Sequence, residues 1–132
     1  MRSIQLLQFL LPVVSVLAQQ VDFECFDSGS SITSCASFVS TFCNTAATLS
    51  YDAGDAASRC FNVGDGTRCD FTATNYASTT ETPSSEWCEL AYDVLDQLCV
   101  STGGFGNVVF VPNTFTFAIS GNDTVCPFAI PI

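Results

Sequence analysis

Histidine and lysine are both absent from this 132-residue sequence, and arginine occurs only at positions 2, 59 and 68. Without an imidazole, no Ser-His-Asp or Cys-His nucleophile can be assembled, and most zinc sites are excluded as well. Three Lys+Arg stand against 13 Asp+Glu, a formal net charge of −10. A nucleic-acid partner requires a basic face to neutralise phosphates, and two or three arginines cannot build one. Anionic membrane surfaces are poor partners for the same reason. Metal-ligand cysteine spacing is missing too, since no CxxC or CxxxxC pair occurs. Asp52, Asp55 and Asp65 supply oxygens beside glycines, but no D-x-D-x-D-G calcium loop is present. The sequence therefore predicts neither a metal nor a cofactor.

Long apolar runs are also scarce. The stretch from Leu6 to Leu17 is interrupted by Gln8, Pro12 and Ser15 and is too short to span a bilayer. It follows Arg2 and ends in Val16-Leu17-Ala18, the pattern of a secretory signal cleaved after Ala18. This predicts a signal peptide over 1–18, no membrane insertion, and one secreted domain over 19–132. Cysteine is the opposite case. Cys25, Cys35, Cys43, Cys60, Cys69, Cys88, Cys99 and Cys126 all lie beyond the signal, an even set that reads as four disulfides in an extracellular, oxidising setting. Their pairing is open, because eight cysteines allow about 105 connectivities. Each staple contributes on the order of 2–4 kcal/mol to a core of this size.

Hydrophobic periodicity places the elements. Val21 to Phe26 alternates and reads as a short edge strand. Ile32, Cys35, Phe38, Val39, Phe42 and Cys43 recur at three and four, predicting an amphipathic helix capped by Ser30 or Ser31. Asn44 to Ala57 reads as loop. Two alternating runs, Ser58–Val63 and Thr67–Thr74, flank Gly64-Asp65-Gly66 and predict a hairpin. A second helix starts at Thr82-Pro83-Ser84-Ser85, carries the apolar stripe Trp87, Cys88, Ala91, Val94, Leu95, Leu98 and Cys99, and is stopped by Gly103-Gly104 shortly after Cys99. Asn107–Val111 and Thr114–Ser120 predict a second hairpin turning at Pro112-Asn113, and the tail beyond Cys126 is expected to dock in extended form. The fold class is α+β: two amphipathic helices packed on an antiparallel sheet of four to five strands. The uncharged Thr/Phe alternation over 114–120 is expected to form a sheet edge through which a homodimer pairs.

The cysteine punctuation carries more. Cys25-Phe26, Cys35…Phe38…Phe42-Cys43, Cys60-Phe61-Asn62, Cys69-Asp70-Phe71-Thr72-Ala73-Thr74-Asn75, Cys88…Cys99, Gly103-Gly104-Phe105-Gly106 and a closing Cys126 resemble one family. It is the glycan-binding Y-three type domain of small secreted proteins from mushroom-forming fungi. The resemblance runs from Cys25 to Cys126. It implies an αβα-type sandwich, a lectin-like activity toward glycans with N-acetylated sugars, and a dimer that extends the sheet.

The residues support a sugar binder independently. Non-catalytic sugar recognition uses planar polar groups for hydroxyls and an aromatic face for the C–H side of a pyranose. The first hairpin supplies Asn62, Asp65, Arg68 and Asp70, with Asn75 and Tyr76 where it leads out. The competing explanation is structural: Asn62 and Asn75 satisfy backbone groups at strand ends, and Arg68 pairs with Asp70 or Asp65. Tyr51 and Tyr76, in polar loops, are the stacking candidates; the eleven phenylalanines beyond Phe9 are assigned to the core. The predicted partners are thus glycans or glycoproteins. Two alternatives remain: an effector, toxin or inhibitor acting on a host protein, and a carboxylate glycosidase using Asp65/Asp70 or Glu86/Glu89. Asn122-Asp123-Thr124 is an N-glycosylation sequon.

Overall fold

The structure, a computed structural model, describes residues 21–108 and 115–127. The signal-like segment, the turn at Pro112-Asn113 and the tail from Phe128 lie outside the described residues. Chain order is β1 (Val21–Cys25), a 3-10 helix (Thr33–Phe38), α1 (Val39–Ala46), β2 (Ala56–Asn62), β3 (Arg68–Asn75), α2 (Ser85–Leu98), β4 (Gly104–Val108) and β5 (Phe115–Asn122). The five strands form one antiparallel sheet in the order β1-β4-β5-β3-β2.

Strict alternation decides which face of the sheet is covered. Cys69, Phe71, Ala73 and Asn75 of β3 are buried, as are Phe115, Phe117, Ile119 and Gly121 of β5, while the residues between them are half-buried. Both helices pack on this one face. Phe42 of α1 stacks on Phe71 with centroids 5.3 Å apart, and Tyr92 of α2 meets Phe71 at 5.1 Å and Phe117 at 5.7 Å. The Tyr92 hydroxyl donates to the carbonyls of Thr72 (2.8 Å) and Ala118 (3.2 Å), so α2 is pinned to both central strands. The predicted α+β architecture is therefore present. The described residues make two layers, and no helix among them covers the far face, where the resemblance implies a third layer.

Local differences have physical causes. The first helix is split, because Ile32, Cys35 and Phe38 step by three and suit a 3-10 turn, whereas Phe42, Cys43 and Ala46 follow α spacing. Of the two expected caps, Ser31 accepts the Thr33 N–H at 3.1 Å, and Ser30 instead pairs with Asp123. Ser84 caps α2 by accepting the Trp87 N–H at 3.2 Å. β4 begins at Gly104, three residues earlier than expected. A Cβ at Gly104 would strike the Glu24 carbonyl and one at Gly106 would strike the Phe23 ring, so these glycines let β1 and β4 approach. β5 lies between β4 and β3. The Thr/Phe run is thus an interior strand with both sides paired, which corrects its expected role as a dimerising edge; the edges are β1 and β2.

The disulfides join Cys25–Cys99, Cys35–Cys69, Cys43–Cys88 and Cys60–Cys126. Cys43–Cys88 ties α1 to α2, and Cys35–Cys69 ties the 3-10 turn to β3. Cys25–Cys99 links β1 to the end of α2. Cys60–Cys126 alone lies on the uncovered side, fastening the segment after β5 to β2. No helix among the described residues is long and apolar enough to cross a membrane.

Burial holds the Tyr92 phenol well above the usual tyrosine range, against its two hydrogen bonds, which act the other way. The folded chain therefore binds that proton more tightly than the unfolded one. The resulting stability is complete below the unfolded value of about 10 and is lost as pH rises through the folded value. Denaturant midpoints are expected to fall above about pH 10, and less steeply in Tyr92→Phe. Tyr51, also raised by burial, leaves a residual slope in that variant. Equal alkaline slopes in both proteins would count against this role for Tyr92.

Candidate functional site

The far face of the sheet and its end at the β2–β3 turn hold most of the candidate residues. Register places Asn62, Arg68 and Asn122 in one row across β2, β3 and β5, and Cys60, Asp70 and Ser120 in the next. Arg68 organises the first row. Its Nε donates to Asp70 Oδ2 at 2.9 Å, and one terminal nitrogen donates to Thr124 Oγ1 (2.8 Å) and the Val125 carbonyl (3.1 Å). Asn122 Nδ2 donates to the same Asp70 oxygen at 2.7 Å. Two donors thus fix the carboxylate through Oδ2, while no described residue donates to Oδ1. The Arg68 and Asp70 side chains are 20% and 32% exposed, so this pair is screened but reachable.

The turn contributes the next residue. Gly64 and Gly66 take positive φ (107° and 92°), a conformation that side chains disfavour, and Asp65 is carried exposed between them. Asp65 Oδ1 accepts from both the hydroxyl and the N–H of Thr67, and these hydrogen bonds hold its carboxyl below the usual range. Between this turn and the Ser30–Ser34 segment lies a polar cleft of about 190 Å³, to which Asp65, Arg68, Asn122 and Asp123 contribute. Side-chain oxygens on both walls make it a hydrogen-bonding recess.

Several candidates have structural duties instead. Asn62 Oδ1 accepts the Cys126 N–H at 2.8 Å and so helps hold the segment that folds back over the sheet. Asn75 is fully buried, donating to the Tyr51 and Thr79 carbonyls and accepting from Ala77 N–H. It lies at the other end of β3 and cannot reach the Arg68 cluster. Tyr76 follows it there, 68% exposed but remote from the cleft. Tyr51 is buried, with its hydroxyl on the Ala46 carbonyl and its edge against Phe115, which corrects its assignment as a stacking residue. Phe105 is corrected in the opposite sense. It is 37% exposed on the uncovered face, paired with Ala118 and 5.7 Å from Phe26. The signal for it was in the sequence: with Gly104 and Gly106 turned inward, the phenylalanine between them must point out.

Of the carboxylate pairs considered for hydrolysis, Asp65 and Asp70 belong to the turn and the far face just described. Glu86 and Glu89 border a separate groove of about 460 Å³ between the first helical segment and α2, with Asp93 and Asp96 further along it. Asp52 accepts from Thr80 Oγ1, and among the described residues no three His, Cys, Asp or Glu side chains gather to hold a metal.

The assignment of Asn75 is directly testable. Asn75→Ala takes their side-chain partner from the Thr79 carbonyl and the Ala77 N–H, while the Tyr51 carbonyl keeps the Glu81 N–H, and is expected to cost about 2 kcal/mol in chemical denaturation. Sugar binding by the folded variant should be unchanged. A loss of binding at undiminished stability would contradict the structural role.

The geometry, a disulfide-fixed sheet with polar groups converging at one end, is that of a recognition surface. No curated protein matches the chain. A family model described as glycan binding domain Y3 matches residues 34–126, from the first helical turn through the last cysteine and over all of the Asp65–Asp70 cluster. That span covers most of the sequence, and with it the chain belongs to the glycan binding domain Y3 family, as a carbohydrate-binding protein.

Proposed function

We propose that the protein is a secreted, non-catalytic lectin that takes N-acetylated glycans in the polar cleft at the β2–β3 turn. The observation that carries this reading is the cleft lined by Asp65, Arg68 and Asn122, with Asp70 fixed behind it by Arg68 and Asn122 through one carboxylate oxygen and the other oxygen without a described donor. A sugar diol presents two donors at fixed spacing, and an acetamido group presents an N–H beside a carbonyl. Preset acceptors with an arginine beside them suit both. The pocket is small, so it takes one sugar ring, and the neighbouring hydroxyls of Ser58, Thr72 and Ser120 give a polar path for the next. Phe105 offers a ring further along the same face.

The non-catalytic reading is supported by the same geometry. Asp70 Oδ2 already accepts two hydrogen bonds, which makes it a fixed acceptor rather than a proton donor for a leaving group. Secretion is supported by the signal-like 1–18 segment and by four disulfides, which persist in oxidising compartments. A homodimer that extends the sheet would use β1 or β2, the strands with a free edge among the described residues.

A glycan array on the oxidised protein tests the reading. Signal on N-acetylated sugars is expected, with Asp65→Ala and Asp70→Ala each reducing it about tenfold, the effect of losing one charge-assisted hydrogen bond. Undiminished binding in both variants would move the site elsewhere. A silent array would favour a protein-directed role, and released reducing sugar would overturn the non-catalytic reading.

A further inference from the structure

The sequon Asn122-Asp123-Thr124 is woven into the cleft. Asn122, the last residue of β5, lies opposite Arg68 and lines the recess. Its Nδ2, the atom that N-glycosylation modifies, is 2.7 Å from Asp70 Oδ2. Thr124 Oγ1, the hydroxyl the sequon requires, accepts from Arg68 at 2.8 Å. Both defining atoms of the sequon therefore touch the two residues placed at the centre of the sugar site. Asp123 takes part as well, accepting from Ser30 Oγ at 3.0 Å across the cleft.

We propose that Asn122 is a glycosylation site whose attached glycan masks the sugar cleft, so that the modified protein is an autoinhibited form of the lectin; this rests on the site assigned above. The donor is a lipid-pyrophosphate-linked oligosaccharide. Asn122 Nδ2 bonds to the sugar C1 as the C1–oxygen bond to pyrophosphate breaks, and one amide proton leaves to a base of the transferring enzyme. In the folded chain Asn122 is half-buried and Thr124 is engaged with Arg68. Transfer accordingly precedes folding, when the sequon is free. The product keeps one N–H, enough for the bond to Asp70, so the fold tolerates the modification. The first sugar of such a glycan is itself N-acetylated, the class assigned to the cleft. Held covalently at the rim, it competes at an effective concentration on the order of millimolar, which free glycans at micromolar levels cannot match.

The test compares one chain in two forms: secreted from a glycosylating host, and secreted from the same host with synthesis of the lipid-linked donor blocked. Peptide mass spectrometry reads occupancy at Asn122, and binding is measured to immobilised N,N′-diacetylchitobiose and to the array. The expected result is occupancy at Asn122 with at least tenfold weaker binding by the modified form. Equal binding by both forms overturns the masking and leaves the lectin reading in place. An unmodified Asn122 in the permissive host does the same. If neither form binds any sugar, the lectin reading fails and the masking fails with it.

Discussion

The contact between Tyr92 and the two central strands sets the rest of the molecule. Its ring lies among Phe42, Phe71 and Phe117, and its hydroxyl joins the carbonyls of β3 and β5. Burying this phenol draws both helices to the same side of the sheet. Most of the large apolar side chains are used up there, which leaves the far side, apart from Phe105 and its neighbour Phe26, to hydroxyls, amides and carboxylates. The polarity of the candidate site is thus a consequence of where the core had to form. Edge-to-face ring contacts add on the order of 1 kcal/mol each beyond area burial, so the cluster also fixes orientation.

The disulfides reinforce this division. Three of them connect elements on or beside the helical layer. The fourth, Cys60–Cys126, fastens the segment after β5 across the far face, where Asn62 and Arg68 also hold it. Arg68 therefore has two tasks, anchoring that segment and orienting Asp70. In the proposed site Asp70 would gain from such support, because an acceptor held in place loses little freedom when a ligand arrives.

What was legible in the sequence is what local chemistry determines. The Gly64-Asp65-Gly66 turn needs positive φ at its glycines and marks the hairpin, but its register was open, since sliding the turn by one residue exchanges which side chains face inward. The second helix follows from its apolar stripe and from the Pro83-Ser84-Ser85 break ahead of it. Features set by distant partners were not legible. Disulfide pairings close separations of 34 to 74 residues. The interior position of β5 depends on β3 choosing it as a neighbour, which no local pattern announces. The candidate site was legible in part. Arg68 with Asp70 followed from adjacency on one strand face, but the engagement of Arg68 by Thr124 and Val125 comes from more than fifty residues away. Asn75, where β3 leads out, and Tyr51, in a polar loop, misled because a polar group looks available until the groups it satisfies are known.

A ligand at the β2–β3 turn end of the sheet, in the cleft between that turn and the Ser30–Ser34 segment, is the central claim. Amide chemical-shift mapping during titration with N,N′-diacetylchitobiose tests it most directly. Perturbations are predicted in Asp65–Asp70, Ser120–Thr124 and the facing Ser30–Ser34 segment, with α2 unaffected. Shifts confined to Glu86–Asp96 and the groove beside them would contradict it.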